Sequence, residues 1–111
     1  MTVRVAVVDD DAGFRRVAVL VLTARGYEVI GEASDAAAGY ELIAAARPDA
    51  ALIDYHLPDE SGAELCARVR GLPHPPRVLL TSSDTAAPGP ASDIAFVAKE
   101  RLASVDLHAY L

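Results

Sequence analysis

The stretch Val3-Arg4-Val5-Ala6-Val7-Val8-Asp9-Asp10-Asp11 decides the fold. A short, almost unbroken apolar run that stops at turn-forming residues is typical of a strand buried on both faces of a parallel sheet. Two later runs follow the same rule: Ala50 to Ile53 is followed by Asp54, and Ile94 to Ala98 is followed by Lys99, the single lysine of the chain. Because parallel sheets bind ligands at the carboxyl ends of their strands, these acids and the lysine predict a metal and phosphate site.

Helical patterns alternate with the strands. The apolar spacing and capping residues predict helices over about 12–25, from a cap at Ser34 or Asp35 to about 46, over 63–69 and over 104–111, with further strands at 27–33 and 78–81. Such alternation indicates right-handed crossovers and an α/β fold with a parallel sheet between two helical layers. Glu28 and Glu32 favour a place near the sheet edge for the second strand. Pro-Gly-Pro at 88–90 predicts a fourth crossover helix that is very short or missing.

Composition limits the class of protein. A chain of 111 residues has room for one core, and its net charge of −6 argues against direct nucleic-acid binding. Cys66 is the single cysteine, so an internal disulfide is impossible and a reducing compartment fits best. We find no signal peptide and no apolar run of membrane-spanning length, and therefore expect a cytoplasmic protein that does not bind membranes.

The carboxylates of Asp9, Asp10 and Asp54 carry the chemistry of the predicted site. Three such groups in close proximity repel one another unless a cation compensates. Carboxylate, carbonyl and water oxygens are the ligands that Mg²⁺ accepts, and its charge together with that of Lys99 would balance the three acids. The plainer alternatives are that the first acids only cap a helix and that Asp54 only forms a turn.

Four segments in this order resemble the receiver domain of two-component response regulators. They are Val7-Val8-Asp9-Asp10-Asp11, Ile53-Asp54-Tyr55-His56-Leu57-Pro58-Asp59-Glu60-Ser61-Gly62, Leu80-Thr81-Ser82-Ser83 and Phe96-Val97-Ala98-Lys99. The resemblance extends from Val3 to about Leu107. It implies a flavodoxin-like, doubly wound sheet of five parallel strands in the order 2-1-3-4-5. It also implies a single receiver domain over residues 1–111, with no output domain in this chain.

The resemblance also assigns roles to individual residues. Asp54 would accept a phosphoryl group from a sensor histidine kinase or a phosphotransfer protein. Asp10 and Asp54 would hold Mg²⁺ directly, with the backbone carbonyl of His56 as a third ligand and Asp9 acting mainly through water. Lys99 would pair with Asp54 and then with the phosphoryl oxygens. Such a domain is a signalling switch rather than an enzyme, and its downstream protein partner is not identified by the sequence.

Two residues could supply the hydroxyl that would bind a phosphoryl oxygen. Counting from Pro76 favours Thr81, whereas matching Ser82-Ser83-Asp84 to the family's usual run of threonine, alanine and a polar residue favours Ser82, which we prefer. Phe96 stands where the family has its switching aromatic residue. Glu100 replaces the proline that usually follows the lysine.

Two other functions fit parts of the sequence. A receiver-like module could bind a protein partner without being phosphorylated, and the Pro-Gly-Pro segment favours this alternative. A phosphatase of the haloacid dehalogenase type would use Asp9 and Asp11. That alternative lacks a later acidic pair, and a chain of this length leaves no room for a substrate cap.

Overall fold

A computed structural model describes residues 2–83 and 94–111, which form a parallel sheet covered on both faces. The elements are β1 Arg4–Val8, α1 Ala12–Ala24, β2 Glu28–Ala33, α2 Ala36–Ala46, β3 Ala50–Asp54, α3 Gly62–Val69, β4 Arg77–Ser82, β5 Ala95–Ala98, and the single 3-10 turns Lys99–Arg101 and Leu107–Ala109. The predicted strands and the first three predicted helices agree with these bounds within one residue at most ends. The predicted loss of the fourth helix concerns residues 84–93, which lie outside the described residues. Every helix that the structure describes is too short or too polar to cross a membrane.

The five strands are all parallel and follow the order β2-β1-β3-β4-β5. This order confirms the predicted doubly wound topology, and it places the Glu-bearing strand β2 at an edge, as expected. Val8 pairs with Ile53, and Asp54 pairs with Thr81. The carboxyl ends of β1, β3 and β4 therefore meet at one edge of the sheet.

Alternation along the strands divides the apolar side chains into two cores. On one face, α1 and the C-terminal segment pack on the sheet, and on the other face α2 and α3 do so. The buried residues of the first core are Val5, Val7, Ala18, Leu22, Tyr27, Ala50, Leu52, Leu79, Val97, Leu102, Leu107 and Leu111. Those of the second are Ala6, Val8, Ala33, Ala36, Ile43, Ala51, Ile53, Leu65, Val69 and Leu80. Both faces of each central strand are thus buried, which explains the continuous apolar runs.

Side-chain caps fix where the helices begin. The Asp11 carboxylate accepts hydrogen bonds from the amides of Gly13 and Phe14, at 2.9 and 3.2 Å. Asp35, rather than Ser34, caps α2 and accepts from the amide of Ala38 at 2.7 Å. These bonds satisfy amides that have no partner within their own helix.

The predicted closing helix over 104–111 is wrong. Arg25, at the end of α1, donates hydrogen bonds to the carbonyl oxygens of Ala103 and Val105, the second at 2.6 Å. The Asp106 side chain accepts from the amide of His108 at 3.2 Å and begins a new single turn. The guanidinium takes carbonyls that a helix would use, and the regular structure within 104–111 is the single 3-10 turn Leu107–Ala109. Leu107 and Leu111 pack in the core on the α1 side.

Candidate functional site

Four polar residues lie on the α1 face of the sheet at its carboxyl edge: Asp9 after β1, Asp54 at the end of β3, Thr81 in β4 and Lys99 after β5. On each strand the residue two positions earlier belongs to the core on the α1 side, namely Val7, Leu52, Leu79 and Val97. Side chains two positions apart in a strand share a face. Strand alternation therefore brings these four side chains together.

The Lys99 ammonium contacts both buried acids of this group, Asp9 and Asp54. Its Nζ atom lies 2.8 Å from Asp9 Oδ2 and 3.4 Å from Asp54 Oδ2. It also lies 4.7 Å from the centre of the Phe14 ring, within cation–π range. Burial lowers the pKa of Lys99, but contact with Asp9 and then with Asp54 outweighs burial and leaves the pKa raised. The predicted pair of Lys99 with Asp54 is present, and Asp9 shares it at a shorter distance.

Asp9 is held from three directions. Its Oδ1 atom accepts a hydrogen bond from the amide of Asp11 at 2.8 Å, while its Oδ2 atom faces Lys99. Arg15 Nη1 donates to the backbone carbonyl of Asp9 at 2.6 Å, and Arg15 Nε lies 3.2 Å from Glu32 Oε1. Sequence reasoning missed Arg15 and the ring of Phe14 as neighbours of the site. Their one available signal was their place in the first turns of a helix that follows the acids.

The three acids form a group that fits a divalent cation. One carboxylate oxygen each from Asp9, Asp10 and Asp54 lie within 4.8 Å of one another. Asp9 and Asp54 are buried, and Asp10 is exposed. Burial and then the charge of Asp9 raise the pKa of Asp54 to about 6, although Lys99 opposes this shift. A cation at this place would remove the repulsion, and oxygen-only donors suit a hard cation such as Mg²⁺.

Asp11 has a different role from its two neighbours. Its carboxylate caps α1 through the amides of Gly13 and Phe14. The phosphatase alternative needs this carboxylate as the second acid of its Asp-x-Asp motif. Since the first turn of the helix already uses it, the structure gives that alternative no support.

The loop after Asp54 folds back on this residue. The amide of His56 donates to Asp54 Oδ1 at 3.3 Å, and the His56 side chain is exposed. The amide of Gly62 donates to the Tyr55 carbonyl at 2.7 Å and closes the loop. A Cβ atom at Gly62 would lie 2.2 Å from the backbone oxygen of Asp54, so only glycine permits this approach.

The two candidate hydroxyls face opposite sides of the sheet. Thr81 pairs in register with Asp54 and shares its face, and its side chain is buried. Among the described residues, Thr81 Oγ1 has no hydrogen-bond partner. Ser82 follows on the side of α2 and α3, where Phe96 also packs. The geometry thus favours Thr81 over Ser82, and the identity of the acting hydroxyl stays a prediction.

Comparisons with known proteins agree with this fold. The family model described as the response regulator receiver domain matches residues 5–92. The chain is 49% identical over 82 residues to the probable transcriptional regulatory protein NarL of Mycobacterium tuberculosis, covering 73% of this chain and 38% of that protein. It is 36% identical over 88 residues to protein-glutamate methylesterase/protein-glutamine glutaminase 2 of Anaeromyxobacter dehalogenans, covering 78% of this chain and 26% of that protein.

A solved structure shows the same architecture. The signal receiver domain of the response regulator NarL from Mycobacterium tuberculosis superposes with a TM-score of 0.77 at 41% identity, covering 89% of this chain and 85% of that one. The chain spans 38% or less of the length of the two curated relatives named above. From the family match, the relatives and the five-stranded fold, this chain belongs to the receiver domains of two-component response regulators, the phosphorelay switches of two-component signalling.

Proposed function

We propose that Asp54 is the phosphoacceptor of this receiver domain and that its donor is a phosphohistidine on a sensor kinase or phosphotransfer protein. Residues 1–111 would act as one receiver unit, in the cytoplasm where such donors present their phosphohistidine. The observation that carries the proposal is the Lys99 ammonium between two buried carboxylates, 2.8 Å from Asp9 and 3.4 Å from Asp54. That arrangement sets a nucleophilic oxygen beside a fixed positive charge.

The transfer step follows from the position of Asp54. One of its carboxylate oxygens attacks the phosphorus atom, and the new O–P bond forms as the P–N bond to the donor imidazole breaks. The electron pair of that bond returns to the imidazole nitrogen, which takes a proton from water. Lys99 moves its contact from the carboxylate to the phosphoryl oxygens, whose added charge of roughly −1.5 to −2 it helps to stabilise.

Asp10, Asp54 and the backbone carbonyl of His56 would hold Mg²⁺ directly, with Asp9 acting mainly through water. When bound, Mg²⁺ neutralises charge on the phosphoryl oxygens and orients them for in-line attack. The support in this chain is the cluster of oxygen donors within 4.8 Å and the raised pKa of Asp54. Thr81 Oγ1 would donate a hydrogen bond to one phosphoryl oxygen.

Intact-protein mass spectrometry after incubation with acetyl phosphate and Mg²⁺ tests the proposal. We expect a mass gain of one phosphoryl group that is lost in alkali, as an acyl phosphate should be. Asp54→Ala should abolish the adduct. Asp49→Ala is the matched control, because it removes a carboxylate that accepts from the Arg4 amide at the opposite end of the sheet.

The outcomes distinguish phosphorylation at Asp54 from the alternative functions. An adduct that survives in Asp54→Ala would overturn the assignment of Asp54. A folded wild-type protein that binds Mg²⁺ but gains no phosphoryl group would favour the interaction module that works without phosphorylation.

A paired substitution assigns the hydroxyl. Thr81→Val keeps the shape of the side chain and removes its oxygen, and we expect it to slow adduct formation more than about 10-fold. Ser82→Ala should change the rate less than about 2-fold, since Ser82 faces the other side of the sheet. The opposite ranking would restore Ser82 as the phosphoryl-binding hydroxyl.

A further inference from the structure

Asp59 ties the loop that follows Asp54 to the start of α2. Its Oδ1 atom accepts a hydrogen bond from the amide of Ala36 at 2.9 Å, and its Oδ2 atom accepts from the amide of Ala37 at 3.0 Å. The first amides of a helix have no carbonyl partner within the helix. Asp59 therefore caps α2 from a position 22 and 23 residues further along the chain.

The N-terminus of α2, to which Asp59 is bonded, is itself held in place by side-chain capping and by packing on the sheet. Asp35 occupies the N-cap position and satisfies the amide of Ala38 at 2.7 Å, so the two acids together serve three successive amides. Further along α2, Gly39 packs so closely on the sheet that a Cβ atom there would lie 2.8 Å from Val8 Cγ1. A loop attached to this helix end is attached to the sheet.

Backbone contacts within the loop connect Asp59 to the residues that follow Asp54. His56 and Ser61 form an isolated antiparallel bridge, and the amide of Gly62 donates to the carbonyl of Tyr55 at 2.7 Å. Asp59 lies at the tip of this closed turn. At its base the amide of His56 donates to Asp54 Oδ1 at 3.3 Å. A contiguous set of contacts thus runs from α2 through Asp59 and the loop to the proposed nucleophile.

We propose that Asp59 is a positioning residue that couples α2 to the metal and phosphoryl site by holding the 55–61 loop in its binding-competent geometry. This inference rests on the proposed function, since the loop supplies the His56 carbonyl to Mg²⁺. Asp59 does not touch the metal or the phosphoryl group. It acts by limiting the motion of the peptide that does, and a preorganised ligand loses less entropy when the ion binds.

The electrostatics of Asp59 agree with its contacts. The amide of Ala36 is the largest cause of a lowered pKa for this carboxyl, and partial desolvation opposes the shift. The carboxylate is therefore ionised at neutral pH, where an anion at a helix N-terminus is favoured. Its exposure to solvent screens the charge, so geometry rather than charge is the expected contribution.

Mg²⁺ titration followed by NMR compares Asp59→Ala with a matched control. Glu60→Ala removes the same charge from the next residue of the loop, where the carboxylate pairs with Arg68 instead of α2. We expect the Mg²⁺ dissociation constant to rise about 3- to 10-fold in Asp59→Ala and less than about 2-fold in Glu60→Ala, a coupling at the low end of the usual range. Asp59→Asn keeps one acceptor oxygen and should recover part of the affinity.

Hydrogen exchange in the wild-type protein tests the same coupling without a substitution. Protection of the Ala36 and Ala37 amides reports the contact with Asp59, while Ala38, bonded to Asp35, is an internal control. Because coupling between two sites is reciprocal, Mg²⁺ should slow exchange at Ala36 and Ala37 by the same factor by which Asp59→Ala weakens Mg²⁺ binding. Ala38 should change little.

The results distinguish a failure of the proposed function from a failure of the proposed coupling. If the wild-type protein binds no Mg²⁺, the proposed function fails. If Mg²⁺ binds equally well to the wild type and to Asp59→Ala, or leaves exchange at Ala36 and Ala37 unchanged, the coupling is overturned while the proposed function stands. Should Asp59→Ala not fold, Asp59→Asn and the exchange experiment decide whether the coupling exists.

Discussion

At the scale of single residues, the site is organised by charges that are placed unfavourably when no cation is present. Asp54 is buried beside Asp9, and within residues 2–83 and 94–111 Lys99 is the one side-chain cation recorded in contact with the carboxylates of the pair. The pKa of Asp54 is accordingly raised from 3.8 to about 6, chiefly by burial. Groups kept in an unfavourable state by their surroundings are common at functional sites, where a ligand removes the penalty.

Removing the charge of Asp54 should stabilise the metal-free protein at neutral pH. The pKa of Asp54 is higher in the folded than in the unfolded chain, so ionisation destabilises the fold above about pH 6, and this cost disappears as the pH falls below 3.8. In EDTA at pH 7 we expect Asp54→Asn to increase the free energy of unfolding by on the order of 1–2 kcal/mol. Thermal unfolding followed by circular dichroism measures the difference.

The sign of the pH dependence is the critical observation. The stability advantage of Asp54→Asn should shrink steadily between pH 7 and pH 4, because the wild-type carboxyl becomes protonated over that range. An advantage that grows on acidification would contradict the raised pKa. Asp49→Asn, at the other end of the sheet, is the matched control for the loss of a negative charge.

At the scale of elements, alternation along the strands determines which side chains reach the site. Residues 9, 54, 81 and 99 each lie two positions beyond a residue of the core on the α1 side. Because neighbouring residues of a strand face opposite sides, Thr81 reaches the site and Ser82 does not. The sequence alone does not give the register of β4, so it does not show which of the two faces the acids. Counting strand ends in the sequence gives the edge of the sheet correctly but leaves the face ambiguous by one residue.

The loop between β3 and α3 depends on a glycine for its closeness to the sheet. We expect Gly62→Ala to lower the free energy of unfolding by about 3 kcal/mol or more, because the added Cβ atom meets backbone atoms of Asp54 and Tyr55 that cannot rotate away. The same substitution should weaken Mg²⁺ binding, since it displaces the loop that closes over the acids. Chemical denaturation and Mg²⁺ titration measure the two effects.

Gly71→Ala is the matched substitution. Its added Cβ atom would meet the Arg68 carbonyl oxygen at 3.4 Å, an ordinary contact, and the backbone there has no positive φ. We expect a change within about 1 kcal/mol and unaltered Mg²⁺ binding. Equal losses in the two variants would show that the close approach at Gly62 is not what matters.

At the scale of the whole molecule, the sheet and its two cores bring distant acids together, so metal binding should stabilise the complete fold. A ligand present at 100 times its dissociation constant stabilises by about 2.7 kcal/mol. We expect Mg²⁺ to raise the melting temperature of the wild type, and to do so much less in Asp10→Asn. Calorimetry with NaCl at matched ionic strength as the control measures the shift, and an equal rise in both proteins would disprove the assignment of Asp10 as a ligand.

How much of the fold and of the site the sequence predicts depends on whether the stabilising contacts are local or join residues far apart in the chain. Local patterns were sufficient for the strands, the capping of α1 from within Asp9–Asp11 and the edge position of β2. They failed where a distant group intervenes: Arg25 donates to the Val105 carbonyl 80 positions away and prevents the closing helix. The contact of Lys99 with the Phe14 ring and the capping of α2 by Asp59 are likewise tertiary. No periodicity along the chain records such contacts.

The outer strand β2 has a consequence for behaviour at high concentration. An uncovered strand can recruit a strand from a neighbouring molecule and start aggregation. Here Glu28 and Glu32 are exposed along that border, and the register with β1 shifts between Val5 and Ala6, which leaves one extra residue in the ladder. Intermolecular pairing would have to dehydrate both carboxylates and match an irregular backbone. This border therefore disfavours fibril-like association and helps the molecule to remain dispersed.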